Sequence, residues 1–186
     1  MAYGQGMATL TATDWIAAAT ARLGEGGVDA VRVEPLAQGL GVSKGSFYWH
    51  FDNRDALLRA VLAAWEERRT ESVITLVEGD ATDPRERVGR LLATVFGHPA
   101  NDGVELGLRA WARHDPTARE VVTRVDARRV GYVTALLEAA GVPPRRAAVW
   151  AAVTYRTLIG EFALRSYGTD ALSAATLQEL VTTIAG

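Results

Sequence analysis

Apolar positions recur at helical intervals along this chain, and no segment alternates with the period of two that a half-buried strand requires. Ile16, Ala19 and Leu23 fall at i, i+3 and i+7, predicting a first helix that Thr13 caps and that Gly24, Gly26 and Gly27 stop. Val28, Ala30 and Val31 anchor the connection to a short second helix, where Leu36, Ala37 and Leu40 share one side. Pro35 is tolerated in its first turn because the missing N–H would be unpaired there anyway. Gly41 can take the left-handed conformation that ends this helix, and Val42 can plug the angle to the next. Ser43 is a good N-cap for a third helix, in which Phe47 and Phe51 form the buried side. Two short helices joined by so tight a turn predict a helix-turn-helix.

Asp52 or Asn53 then caps a long fourth helix over 54–78, with Leu57, Leu58, Val61, Leu62 and Trp65 as a broad apolar side near its start. Turn formers crowd residues 79–84, where a cap precedes Pro84. Further helices are predicted over 84–96, 104–114, 116–140, 143–166 and 173–185, separated by Gly, Pro, Asn and Asp clusters. The expected fold is all-α, with a mobile leader over 1–12, a helix-turn-helix domain over 13–58 and a second helical domain over 59–186.

Composition adds exclusions. The 186 residues provide ample material for a core, and a hydrophobic share of 48% with mean hydropathy +0.03 suits a globular chain. No apolar run is long enough to span a bilayer, and residues 1–12 lack the charged and apolar regions of a secretion signal, so a cytoplasmic location is expected. The absence of cysteine removes disulfides, zinc–thiolate sites and thiol catalysis, and with three scattered histidines neither a metal nor a cofactor is expected. His98 and His114 read as loop residues. No nucleophile elbow, phosphate loop or metalloprotease motif occurs, Ser43 and His50 have no acid placed to complete a triad, and the chain is not expected to be an enzyme.

The outer side of the third helix is rich in donors. Lys44, Ser46, Tyr48, Trp49 and His50 can each donate to a phosphate or a base edge, and Gly45 permits close approach. Tyr48, Trp49 and His50 could instead form a buried aromatic stripe, but Phe47 and Phe51 already occupy the buried side. Charge does not help: residues 1–55 carry four bases, Arg22, Arg32, Lys44 and Arg54, against six acids, a net −2. Lys44 is the only lysine in the chain.

The stretch over residues 36–51, LAQGLGVSKGSFYWHF, resembles the DNA-binding signature of TetR-type transcriptional repressors. Their pattern runs through a leucine-alanine pair, a Gly-Val-Ser turn and a recognition helix ending Tyr-x-His-Phe. The resemblance is specific over about residues 13–60 and architectural beyond. It implies a homodimer that inserts the third helix of each subunit into successive major grooves of a pseudo-palindromic operator. The DNA-binding residues it suggests are Arg32, Ser43, Lys44, Gly45, Ser46, Tyr48, Trp49, His50 and Arg54, with Lys44 and Gly45 on base edges and the others mainly on phosphate and groove wall. Arg32 stands where the family usually has a capping threonine, exchanging a cap for a charge. Arg54 stands where the family has a basic phosphate ligand.

The resemblance also implies a small-molecule effector that releases the operator, with the fourth helix transmitting the signal. Phe96, Arg109, Trp111, Tyr132 and Tyr155 are the candidate pocket residues, each with plain core packing as the alternative. The small residues Ala147, Ala148, Ala151, Ala152, Gly160 and Ala163 point to dimerisation through the last two long helices, or else to close packing within one subunit. A ligand-independent DNA-binding regulator or activator is the alternative function, and an α-helical enzyme the remote one.

Overall fold

Thr11 begins α1 (Ala12–Gly26) with a capping box: its hydroxyl accepts from the Asp14 amide at 3.4 Å, and the Asp14 carboxylate accepts from the Thr11 amide at 2.7 Å. Those bonds to Thr11 hold the Asp14 carboxyl below its ordinary range. The box corrects the expectation that Thr13 caps the helix, since only Thr11 has an acid three residues on and Thr13 lies inside the first turn.

The structure is a computed structural model and describes residues 10–79, 83–97 and 102–185. Most of the expected leader, residues 80–82 of the expected turn cluster and His98 lie outside the described residues. After α1 come a 3-10 turn (Val28–Ala30), α2 (Val33–Gly39), α3 (Lys44–Phe47), α4 (Arg54–Glu78), α5 (Pro84–Gly97), α6 (Asp102–Ala112), α7 (Pro116–Ala139), α8 (Pro144–Ser166) and α9 (Ala174–Ala185). Among the described residues there is no strand, and the fold is all-α. Asn53, not Asp52, caps α4, accepting from the Ala56 amide at 2.9 Å. Asp115 caps α7 in the same way ahead of Pro116.

The head, α1 to α3, shares its core with the helices that follow. Trp15, Leu23 and Phe47 pack in one cluster with Leu57, Val61 and Trp65 of α4, Leu108 of α6 and Val125 of α7. The buried line of α1 is therefore Trp15, Ala19 and Leu23, and Ile16 is only half-buried. Ala19 and Leu23 are buried as expected, and Trp15 takes the place of Ile16 because an indole offers more apolar area to bury than a sec-butyl chain. The core continues through residue 58 without interruption.

Backbone contact joins α1 to α6. A Cβ placed on Gly103 would lie 2.6 Å from the Gly24 carbonyl oxygen, and one on Gly107 would lie 2.7 Å from the Leu23 carbonyl oxygen. Only glycine allows this approach.

Farther from the head, Leu136, Leu137, Ala147 and Ala151 belong to a second cluster, and Leu92, Phe96, Leu158 and Phe162 to a third. The small residues of α8 thus divide. Ala147 and Ala151 are closed off inside the subunit, while Ala148 and Gly160 are exposed beside Val149 (61% exposed), Val153 (47%) and Leu164 (51%). Among the described residues no helix is long and apolar enough to cross a membrane.

Candidate nucleic-acid interface and ligand cavity

The turn between α2 and α3 forms as its residues suggest. Gly41 adopts φ 70°, and the Gly41 and Val42 amides return to the Gln38 and Ala37 carbonyls at 3.1 and 3.0 Å. Val42 is half-buried against the head core. Ser43 holds the N-cap position of α3 in extended backbone, but its hydroxyl makes no capping bond. Past Phe47 the helix tightens to i→i+3 bonds, with Tyr48, Trp49 and His50 donating to Gly45, Ser46 and Phe47. Phe47 pins this segment from beneath, edge-on to Trp15 at 5.3 Å between centroids and stacked on Phe51 at 5.7 Å. With the buried side filled, Tyr48 is left 55% exposed and Trp49 89% exposed. Ser43, Lys44 and Gly45 are exposed beside them, and Ser46 and His50 are half-buried.

All four bases of the head already have protein partners. Arg22 pairs with Glu25 at 2.8 Å, and the Arg32 Nε donates to the Asp29 carbonyl at 3.1 Å. Lys44 forms an ion pair with Glu34 of α2, which holds the Glu34 carboxyl below its usual range and raises the Lys44 ammonium. Arg32 occupies the N-cap position of α2 without a side-chain capping bond, as the exchange of a threonine for an arginine implies.

Arg54 is held by the backbone of the head. Its Nε donates to the Val31 carbonyl at 2.6 Å and its Nη2 to the Val28 carbonyl at 2.5 Å, tying the start of α4 to the turn before α2. The Val28 carbonyl already accepts from the Val31 amide at 3.2 Å, and the planar guanidinium of the next long helix spans it and the Val31 carbonyl together.

A cavity of about 490 Å³ lies among α4 to α8. Phe96, Tyr132 and Tyr155 line it as expected, but Arg109 and Trp111 do not. Trp111 is turned toward the head cluster, six residues and about 240° around α6 from cavity-lining Glu105. Arg109 stands behind the wall, donating to Asp126 at 2.8 and 2.9 Å and to the Tyr155 hydroxyl at 2.9 Å.

Sequence reasoning missed the cavity's ionic groups. Glu105, 6% exposed, accepts from Trp65 Nε1 at 3.2 Å and Arg129 Nη2 at 2.9 Å, and Arg109 lies 3.6 Å from its other oxygen. Asp102 receives Arg165 in a two-pronged pair at 2.7 and 2.9 Å. The available signal was a pair of carboxylates three residues apart on a helix that otherwise turns an apolar side inward; Arg109 is four residues from Glu105, but Arg129 and Arg165 are remote in sequence.

The family model of bacterial regulatory proteins of the tetR family matches residues 16–61. Over 59 residues the chain is 46% identical to tetracycline repressor protein class A from transposon 1721 of Escherichia coli, a match covering 31% of this chain and 27% of that protein. Across the curated relatives it matches, the chain spans between 27% and 36% of their length. The fold is similar throughout to a TetR transcriptional regulator from Legionella pneumophila, with TM-score 0.75 and 14% identity over 97% of each chain. It is also similar to a protein from Saccharomonospora viridis described as a transcriptional regulator and solved in complex with choline. That likeness has TM-score 0.76 and 16% identity over 92% of this chain and 93% of that one.

Proposed function

The chain carries the helix-turn-helix domain of the TetR family of bacterial regulatory proteins, and from that premise we propose a ligand-responsive repressor that binds a pseudo-palindromic DNA operator as a homodimer. The observation that carries this reading is the surface of α3 and the turn after it. A large indole at 89% exposure beside an exposed phenol and ammonium is poor design for a surface facing only water, and well suited to a groove wall with phosphates. Arg32, Ser43, Lys44, Gly45, Ser46, Tyr48, Trp49, His50 and Arg54 form the proposed contact set.

Two copies associate through α8 and α9, with Val149, Val153 and Leu164 at the centre of the contact, which sets the spacing between heads. The cavity receives the effector, for which the choline complex of the Saccharomonospora viridis protein is a precedent in the same fold. An effector shifts the dimer only through differential affinity, and moving the balance from 1:99 to 99:1 takes about 5.5 kcal/mol between the two states. Two contacts support a route to the head: the Trp65–Glu105 bond from cavity wall to head core, and the glycine contact of α6 with α1. The ionic groups around the cavity are paired with one another, which favours a binding chamber over a catalytic one.

Selection of bound DNA from a random pool tests the reading. Enrichment of a palindrome is the expected outcome; no enriched sequence, or one without two-fold symmetry, counts against it.

A further inference from the structure

We infer that the cavity takes a neutral, largely apolar molecule carrying a carbonyl or hydroxyl oxygen, a conclusion that rests on the effector reading above. Its volume of about 490 Å³ falls within the range of about 300–1,000 Å³ usual for small-molecule sites. Much of its wall is aliphatic or aromatic, including Ile74, Leu91, Val95, Phe96, Leu158 and Phe162.

Charge decides the class. Each charged side chain on the wall already has an opposite charge beside it, although one Glu105 oxygen is buried without a hydrogen bond. Asp102 is held by Arg165 through two bonds, and Glu105 by Arg129, whose guanidinium also lies over the Trp65 ring at 5.1 Å. A charged ligand lodged here would have to draw one partner away from the other, leaving an uncompensated charge in a buried site. With Arg109, Asp126 and Glu161 included, the network holds four carboxylates against three guanidinium groups, so an anion is the worst-placed ligand.

Two neutral polar groups on the wall have no hydrogen-bond partner among the described residues. Thr154 is 7% exposed and makes no side-chain hydrogen bond, and the Tyr132 hydroxyl is buried without one. A buried hydroxyl lacking a partner is unfavourable, and a ligand oxygen supplies one while the aliphatic wall takes the remainder of the molecule. Burial raises the Tyr132 phenol above its ordinary value, with the charge of Glu78 acting in the same direction.

The test uses the full-length protein and four probes with the same chain: 2-octanone, octanoate, octylammonium and 1-octene. The expected order of affinity is ketone first, by about tenfold over octylammonium, with octanoate weakest. Thr154→Val, which keeps the shape and removes the hydroxyl, should weaken 2-octanone about fivefold and leave 1-octene unchanged. Octanoate or octylammonium binding as tightly as the ketone overturns the inference, as does the absence of binding by all three polar probes, or an equal loss of ketone and alkene in Thr154→Val. Operator release is followed on the same samples. Ketone binding in the expected order without release supports the inference and fails the effector reading; release driven best by a charged probe does the reverse.

Discussion

Trp65 of α4 donates its indole N–H to Glu105 of α6 at 3.2 Å, so a residue of the head's own core is hydrogen-bonded to the wall of the cavity. The same carboxylate, buried on the cavity wall, faces Arg129 and Arg109. Glu105→Gln keeps an acceptor for the indole but takes from Arg129 its carboxylate partner, while Arg109 keeps Asp126. It should lower stability by about 3 kcal/mol, or roughly 6–12 °C in melting temperature for a chain of this size. Exposed Glu138→Gln is the control; matching melting curves for the two variants would refute the role given to Glu105.

Glycine substitutions should split by what stands opposite. Gly103→Ala drives a methyl group into the Gly24 carbonyl of α1 and should cost about 1–3 kcal/mol, despite alanine's better helix propensity. Gly131→Ala, in α7 with nothing within 4 Å of the new Cβ, should instead stabilise by about 0.5–1 kcal/mol. Urea unfolding reads both, and equal effects would remove the case for backbone contact between α1 and α6.

Burial pushes the Tyr155 phenol up to about 12, against the pull of Arg129 and Arg109. Its folded value lies above the unfolded value of about 10, so the native state holds a proton that the unfolded chain releases. The associated stability is complete below about pH 10 and is lost as pH rises toward about 12. The loss should be about 2–3 kcal/mol, and it should be missing from Tyr155→Phe, whose stability can be compared with the parent at intervals from pH 9 to 12. Parallel curves for the two proteins would contradict it.

Glu34→Gln releases Lys44 and removes a negative charge facing the proposed DNA. Operator affinity should rise, and its dependence on salt should steepen by about one released ion. Lys44→Ala should relax or abolish sequence preference while leaving the dimer intact. Gel shifts at several salt concentrations check both, and operator binding unchanged by Lys44→Ala would refute its role as a reader.

On the outer side of α8, Val153→Arg places a charge at the centre of the proposed contact between copies. The expected result is a monomer by sedimentation at micromolar concentration, with the helical content of the parent. A parent that sediments as a monomer would dismiss the contact outright.

The helices α4 to α9 were legible because proline and glycine punctuate strong apolar periodicity; residues 54–78 and 116–140 emerge in the structure nearly as read. Gly41 and Val42 were legible because a tight turn demands a particular backbone and a plug, whereas Ser43 holds the N-cap position without the capping bond its hydroxyl suggests. What stayed hidden was tertiary. Arg54 looked like a surface cation because nothing local shows that two carbonyls, 23 and 26 residues earlier, lie within its reach. Asp102 and Arg165 are 63 positions apart, and Trp65 and Glu105 are 40 apart, so neither bond has a local signature. Trp111 and Tyr132 looked equally suited to a pocket, and only the rotation of α6 and α7 in the packed bundle separates them.

The ion pair between Lys44 and Glu34 bears on how such a protein would find its site on a chromosome. Affinity for arbitrary DNA comes almost entirely from cations that displace counterions from phosphates, and this head begins with its cations committed elsewhere. Against about 10⁶–10⁹ competing genomic positions, weak retention on each leaves a larger share of the molecules free to search. A cell could then keep an operator occupied with few copies of the protein.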